Sequence, residues 1–259
     1  MIKLKRLHGN NKLSGQKMAA AEPMYARFEN RIRKAQYKYL KGSRAPTVLV
    51  PLKLYKKLAK WIRYNYKTAP KYLALDWIKS ARDEHNLAVC PMCGGTAVAT
   101  LDHVLPEANY PEFAVFSFNL VPSCDGCQRR RSNKGRSIQF IHPYFDHRLL
   151  DSLRLVVKFS APYDAVGFSL VPMGLTGTDL TRARLHINES LPTLIFRRHM
   201  RRLWKEWHRL FHRGRGLARL IEDLPDSEAD ALNSWDVAFL RGLLSDSSVQ
   251  AWMANNLPP

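Results

Sequence analysis

Two pairs of cysteines constrain the fold of this chain more than any other feature of its sequence. The 259 residues contain four cysteines, and all of them fall in two C-x2-C pairs, Cys90 with Cys93 and Cys124 with Cys127. Pairs with this spacing form the knuckles that hold a tetrahedral metal ion such as zinc. The 30 residues between the pairs are too many for a compact zinc ribbon. The spacing therefore predicts a structural zinc site with a sizeable segment looped out between its two halves.

The composition favours zinc over disulfide bonds and predicts a globular cytoplasmic protein. Residues 1–15 are basic but lack the apolar stretch of a secretory signal, so the oxidising compartment in which disulfides persist is not expected. No apolar run approaches the roughly 18 residues that are needed to span a bilayer. Hydrophobic residues make up 46% of the chain and charged residues 24%, which is typical of a globular rather than a disordered chain. We therefore expect no membrane partner.

The net charge points to a polyanionic partner. The formal charge is +19 at pH 7, and positive charge of this size speeds association with polyanions. Nucleic acid is the favoured partner, because each neutralised phosphate releases a condensed counterion. A membrane surface or an acidic protein would respond to the same electrostatic field, so the charge alone does not exclude them; nucleic acid, and no membrane, is the partner that we expect.

The sequence divides into three regions of different character. Residues 1–85 form a basic helical N-terminal region, since residues 1–80 hold 20 lysines and arginines against three acids. Residues 86–148 lose the helical periodicity and carry the cysteines, and this region is the predicted functional core. Residues 149–259 form a C-terminal region that begins with two strands, continues with helices and ends in an acidic tail after Leu220.

Hydrophobic periodicity places the helices and strands along the chain. It predicts helices at about residues 18–39, 53–66, 70–85 and 191–213, and strands at Leu153–Ser160 and Val166–Met173. The last helix has an apolar stripe from Phe196 to Leu210, which we expect to pack in the core. Nine lysines and arginines between Arg197 and Arg219 would then face solvent or phosphates.

The segment between the cysteine pairs carries residues suited to phosphodiester hydrolysis. Asp102-His103 lies in this segment, and Phe118–Pro122, which contains Asn119, follows it. Hydrolysis requires a base that deprotonates water near neutral pH, a task for histidine, and a divalent ion with oxygen ligands that neutralises charge. On a regular strand Asp102 and His103 would point to opposite faces, so a bulge or bend would be needed to bring both to one site.

Taken together, the Asp-His dipeptide, the Asn-Leu-Val-Pro segment and the C-x2-C bracket resemble the HNH, or ββα-metal, nuclease family. The resemblance covers about 45–60 residues. It implies an α+β fold, namely a zinc-stapled ββα-metal HNH core with mostly helical N- and C-terminal flanks. In this fold a hairpin and a helix clamp one catalytic metal ion, Mg²⁺ or Mn²⁺, and a separate structural Zn²⁺ lies behind them. The resemblance therefore implies an HNH endonuclease that hydrolyses DNA.

The resemblance also assigns roles to individual residues. It implies that His103 is the general base, that Asp102 is a ligand of the catalytic metal, and that Asn119 is the loop residue that orients His103. The third signature position, usually Asn or His, directly follows the last zinc cysteine, and here it is Gln128. Gln128 can still offer a carbonyl oxygen to the metal, although its side chain is longer, and Asn133 is the alternative. As a further alternative, Asn119 is an ordinary turn residue.

A cluster of cations follows Gln128 and is expected to contact nucleic acid. Its members are Arg129, Arg130, Arg131 and Lys134. Positive charge beside the proposed metal ion would neutralise phosphates and steady the scissile strand.

A second resemblance concerns the segment after the core. Residues 141–146, Ile-His-Pro-Tyr-Phe-Asp, resemble a motif of HNH proteins in bacterial antiphage systems, among them the nuclease subunit of Septu-type systems, some of which are attached to retrons. This resemblance implies an antiviral defence function, with an ABC-type ATPase subunit and a retron-like component as partners. The alternative for His142 and Asp146 is that they pack the core or cap a helix.

A non-catalytic function stays open beside the nuclease. The same cysteine bracket would suit a zinc module that only binds nucleic acid or a partner protein. The two hypotheses differ in what they require of His103, since only the nuclease needs it for chemistry rather than for folding.

Overall fold

The computed structural model of the chain describes residues 1, 3–4, 9–42, 49–83, 87–96, 98–127, 140–223 and 232–258. These residues form helices and two small antiparallel sheets, so the predicted mixture of helix and sheet is confirmed. None of the helices in the described ranges is long and apolar enough to cross a membrane.

The regular elements are as follows. The helices are α1 (Asn11–Ala21), α2 (Pro23–Leu40), α3 (Lys56–Thr68), α4 (Trp77–Asp83), α5 (His147–Ser152), α6 (Gly177–Ser190), α7 (Thr193–His212), α8 (Gly216–Asp223), α9 (Trp235–Leu244) and α10 (Ser247–Asn255). The strands are β1 (Val98–His103), β2 (Leu120–Cys124), β3 (Arg154–Ser160) and β4 (Gly167–Met173). The chain is also helical at residues 125–127, where one described range ends.

The chain forms two compact units, each assembled from segments that are separate in sequence. The hairpin unit comprises Leu4–Leu87 and Val98–Phe145. The C-terminal unit comprises Met1–Lys3, Ala88–Ala97 and Asp146–Pro259. The N-terminal helices and the β1–β2 hairpin therefore belong to the same unit.

The first two helices of the hairpin unit meet at a proline. Glu22 is extended, with φ −137° and ψ 106°, because a residue before proline is sterically disfavoured in helical backbone. Pro23 then begins α2, where its missing N–H costs nothing, and Glu22 Oε1 accepts a hydrogen bond from Met24 N at 3.0 Å. The prediction of one continuous helix at 18–39 is therefore wrong, since two helices meet within that stretch.

The helix predicted at 70–85 is interrupted as well. Lys71–Leu73 form a 3-10 turn, and Ala74 follows with a left-handed backbone, φ 55°. A residue with a Cβ rarely adopts this conformation, and a chain that does so leaves the helical path. The α-helix begins only at Trp77.

The β1–β2 hairpin places His103 where the strands pass into a long loop. Val98 pairs with Cys124 and His103 pairs with Leu120, with an irregularity between Val98 and Thr100. The loop of residues 104–119 joins the two strands. Leu101 of β1 and Leu120 of β2 lie in the apolar core that the hairpin shares with α2 and α3. Helices that carry the basic surface thus hold the hairpin from one side.

The 104–119 loop contains a buried carboxylate. Glu112 is 1% exposed, and its Oε1 accepts a hydrogen bond from Leu52 N at 2.8 Å. Its Oε2 has no hydrogen-bond partner among the described residues. Burial raises the pKa of Glu112, because the charged form loses its hydration, and the Leu52 N–H offsets only part of that effect.

We expect Glu112→Gln to raise the free energy of unfolding at about pH 8, on the order of 1 kcal/mol. Glutamine keeps the acceptor for Leu52 N but brings no charge to desolvate. The pKa of Glu112 is higher in the folded than in the unfolded state. The folded state therefore loses stability as the pH rises from the unfolded-state pKa towards the folded-state pKa, because the unfolded chain gives up this proton first. The gain should therefore shrink as the pH falls towards about 4, near the unfolded-state pKa of glutamate. Urea unfolding at about pH 8 and about pH 4 measures the gain in free energy of unfolding. An equal gain at both pH values would contradict the prediction that Glu112 is a buried charge at pH 8.

The C-terminal unit is built on the β3–β4 hairpin. The strands pair from Arg154 with Met173 to Ser160 with Gly167, without an irregularity. Helix α9 packs on β3, and an added Cβ at Gly242 would lie 2.1 Å from Val157 O. Only glycine permits this approach.

Helix α7 buries one face and exposes its cations. The predicted apolar stripe is buried except for Leu210, which is half-buried, and Trp204 is buried in addition. The Trp204 ring lies 5.6 Å from that of Phe159 and 6.1 Å from that of Phe168. These contacts fix α7 against the β3–β4 hairpin, while its arginines remain at the surface.

Candidate functional site

The four cysteines come together as a group that is able to hold a metal ion. All four are buried and free of disulfide bonds, and their Sγ atoms lie within 4.8 Å of one another. Four sulphurs around a tetrahedral zinc ion at about 2.3 Å stand roughly 3.8 Å apart. The donor set and its spacing therefore fit zinc, and the predicted assembly of Cys90, Cys93, Cys124 and Cys127 into one group is confirmed.

The first cysteine pair lies in a tight turn that directs both sulphurs to one side. Gly94 N donates to Cys90 O at 2.9 Å, and Cys90 N donates to Gly95 O at 2.6 Å. Gly95 N donates to Cys93 Sγ at 3.3 Å, a contact that stabilises a charged sulphur. Gly94 has φ 82°, and an added Cβ would lie 2.2 Å from Asn233 O. Glycine is therefore required here both by conformation and by space.

Two residues from distant parts of the sequence, Trp235 and His186, form hydrogen bonds to this turn. Trp235 Nε1 donates to Cys93 O at 2.8 Å, and Trp235 N donates to Gly94 O at 2.9 Å. His186 Nε2 lies 2.7 Å from Met92 O, a carbonyl that can only accept. Sequence reasoning missed both Trp235 and His186, because neither has a spacing that connects it to the cysteines.

His103 ends β1 with its imidazole anchored at one nitrogen. Its Nε2 lies 2.9 Å from Ala114 O, and because a carbonyl accepts, Nε2 carries the proton of this contact. The neutral ring then has its lone pair on Nδ1. The ring also packs against the ring of Tyr66, with the centroids 4.4 Å apart, and the residue is 7% exposed. This is a fixed tautomer in which Nδ1 is the basic nitrogen.

Asp102 and His103 both lie close to Tyr66. Asp102 Oδ1 accepts a hydrogen bond from His103 N at 2.7 Å. The hydroxyl of Tyr66 donates to Leu101 O. Burial raises the pKa of Tyr66, and the carboxylate of Asp102 raises it further, against the lowering effect of Arg82. Tyr66 thus packs on the ring of His103 and lies within the electrostatic reach of Asp102.

Glu107 is a further carboxylate near this group that sequence reasoning did not single out. The charge of Glu107 also raises the pKa of Tyr66, and its effect is smaller than the effects of burial, Arg82 and Asp102. Its Oε2 is buried with no hydrogen-bond partner among the described residues. Carboxylate oxygens are ligands that Mg²⁺ or Mn²⁺ prefers more than zinc does.

Asn119 is completely buried and cross-links the loop that follows His103. Its Oδ1 accepts from Leu105 N at 2.7 Å, and its Nδ2 donates to Leu105 O at 3.1 Å and to Phe113 O at 3.3 Å. Phe113 directly precedes Ala114, whose carbonyl accepts from His103. Asn119 can therefore orient His103 through the loop backbone.

Residues 142–144 contact the backbone on both sides of Asn119. His142 Nε2 lies 3.0 Å from Phe118 O, and the hydroxyl of Tyr144 donates to Leu120 O at 2.8 Å. The carbonyls on both sides of Asn119 are thus held by buried side chains. Burial raises the pKa of the Tyr144 hydroxyl, so it stays a neutral donor. These contacts give His142 a packing role.

Asp146 forms an ion pair with an arginine of α6. Arg182 Nη1 donates to Asp146 Oδ1 at 2.9 Å, within the C-terminal unit. This ion pair links the start of α5 to α6.

The rest of the proposed site falls outside the described residues. This holds for both candidates for the third signature position, Gln128 and Asn133, and for the cations Arg129, Arg130, Arg131 and Lys134. Their roles stay predictions.

A phage protein is similar to part of this chain. Over 62 residues the chain is 44% identical to protein ea31 of Escherichia phage lambda. The match covers 22% of this chain and 21% of ea31, so the chain spans about a fifth of that relative's length. No protein-family model and no solved structure matches the chain.

Proposed function

We propose that this chain is a metal-dependent endonuclease of the HNH type that hydrolyses phosphodiester bonds of DNA. The observation that carries the proposal is His103, which ends the hairpin strand with Nε2 anchored to Ala114 O at 2.9 Å. Beside it stands Asp102, and the cysteine group brackets the hairpin in sequence. A histidine with a fixed ring beside a carboxylate that could bind a divalent ion supports this proposal.

The proposed chemistry assigns each residue one task. His103 Nδ1 takes a proton from the attacking water, while the bond from Nε2 to Ala114 O holds the ring and supports the positive charge that it gains. Asn119 keeps the loop that carries Ala114 in place. Asp102 and Glu107 would hold a Mg²⁺ or Mn²⁺ ion, which supplies charge neutralisation at the phosphate when it is bound.

The partners belong to the same proposal. Arg129, Arg130, Arg131 and Lys134 would hold the phosphates on either side of the scissile bond. By its resemblance to Septu-type nuclease subunits, the chain would act as the nuclease effector of an antiphage system in the bacterial cytoplasm. Its partners there would be an ABC-type ATPase subunit and a retron-like component.

We expect the zinc-loaded protein to nick or linearise supercoiled plasmid only when Mg²⁺ or Mn²⁺ is added. Asp102→Asn should raise the ion concentration that gives half-maximal cleavage by about ten-fold, roughly 1.4 kcal/mol of ion binding. Asparagine keeps an oxygen that can accept from His103 N at the position of Oδ1, so the change removes the charge and preserves the backbone contact. Agarose gels across an ion titration measure both effects.

The matched control is Glu112→Gln, which neutralises another buried carboxylate of the same hairpin unit. It should cleave at the wild-type ion concentration. If the zinc-loaded wild-type protein binds plasmid without cutting it at any Mg²⁺ or Mn²⁺ concentration, the nuclease proposal fails and the non-catalytic zinc module replaces it.

A further inference from the structure

A cavity beside the β3–β4 hairpin of the C-terminal unit is lined by two arginines. It has a volume of about 370 Å³ and is lined by Ser160, residues 165–169, Arg197 and Arg201. No carboxylate is among these lining residues. A cavity with guanidinium groups and serines but no acid is suited to an anion.

The two arginines are placed by the packing of α7. They stand four residues apart, a rise of about 6 Å along the helix. Trp204, packed on Phe159 and Phe168, fixes that helix against the hairpin. Both arginines are exposed, and neither makes a hydrogen bond or an ion pair with a described residue. Two such cations on one cavity repel each other, and an anion bound between them would remove that repulsion.

We propose that this cavity binds a phosphate group of a nucleic-acid backbone. The guanidinium fork matches the oxygens of a phosphate, and two forks on one cavity can hold a single phosphate from two sides. Beyond Arg201 the same helix continues at the same four-residue spacing with exposed cations at Lys205 and Arg209. A row of this kind suits a polymer of phosphates better than an isolated small anion.

The inference rests on the proposed nucleic-acid substrate but not on the role of His103. Binding is therefore measured rather than cleavage, with the full zinc-loaded chain, a labelled DNA duplex and no added Mg²⁺ or Mn²⁺. If His103 variants still cleave DNA, the nuclease mechanism fails and this binding result is untouched.

The experiment compares two double variants of the same helix. R197Q/R201Q should weaken DNA binding about ten-fold in fluorescence anisotropy and lower the slope of log affinity against log salt by about 1, as expected for the loss of one phosphate contact. R198Q/R202Q removes the same charge at the same spacing but does not line the cavity. This control should weaken DNA binding only about two- to three-fold, because it lowers the overall positive charge of the protein. Melting temperatures equal to that of the wild type confirm that both variants fold.

Equal losses in the two variants would show that only diffuse charge matters, and the proposal would be overturned. Unchanged binding in R197Q/R201Q would overturn it as well. Inorganic phosphate is the third probe. If it raises the melting temperature of the wild type but not of R197Q/R201Q, while DNA affinity is the same in both, the cavity serves a small free anion and not a nucleic-acid backbone.

Discussion

Replacing His103 with glutamine is expected to slow DNA cleavage by about 100- to 10,000-fold, the range that a general base contributes. The Nε2 amide of glutamine can take the position of the imidazole Nε2 and keep the hydrogen bond to Ala114 O. It offers no basic nitrogen in the place of Nδ1. The substitution thus removes the proposed chemistry and preserves the contact that anchors the loop.

Alanine at position 103 is a harsher change, because the His103 ring packs on Tyr66 with centroids 4.4 Å apart. We expect His103→Ala to lose cleavage and to melt at a lower temperature, whereas His103→Gln should melt close to the wild type. Both should retain one zinc per chain, since the imidazole is not among the four sulphur ligands.

Single-turnover cleavage of plasmid, with zinc content and melting temperature measured on the same samples, decides the matter. The pH dependence adds a second readout. The residual rate of His103→Gln should lose the part of the pH dependence that comes from the imidazole base. Cleavage by His103→Gln at the wild-type rate would remove His103 from the mechanism.

The second large effect is expected from Cys124→Ser. Serine is a poor zinc ligand, so the site should lose its metal, and with it the folding free energy that metal binding supplies. A loss of several kcal/mol would lower the melting temperature by roughly 10 °C or more. The zinc released per chain and the unfolding transition should change together.

Ser123→Ala is the matched control for this variant, since Ser123 is a buried neighbour on the same strand. It removes one weak contact between hydroxyls, with Thr100 Oγ1 at 3.4 Å, and should keep its zinc. Were Cys124→Ser to stay folded with a full complement of zinc, the assignment of the four cysteines to one metal site would be wrong.

Elements set by local periodicity were predictable from the sequence. The strands predicted at 153–160 and 166–173 are observed as Arg154–Ser160 and Gly167–Met173, and the long amphipathic helix lies within one or two residues of its predicted ends. The errors fell at 18–39 and 70–85, where the apolar pattern runs on through Pro23 and Ala74. There a single backbone constraint overrides the periodicity of the side chains.

Within the site, spacing in the sequence identifies ligands but not their supports. The cysteines come as close pairs, and their assembly could be predicted from that pairing alone. Trp235, His186 and Tyr144 act through hydrogen bonds to backbone carbonyls, which every residue has, so no local pattern connects them to Cys93, Met92 or Leu120. The effect of Glu107 on the pKa of Tyr66 is likewise a property of the folded loop.

The bond from Trp235 to Cys93 has a consequence for the order in which the protein is made. The two residues are 142 positions apart, and a ribosome that adds about 5–20 residues per second needs roughly 7–30 s to cover that distance. The turn around the first cysteine pair gains its hydrogen bond from Trp235 only when synthesis is well past the β1–β2 hairpin. A nascent chain that stalls before Trp235 thus lacks a contact that holds the turn around Cys90 and Cys93, so completion of the four-cysteine group depends on translation of the C-terminal region.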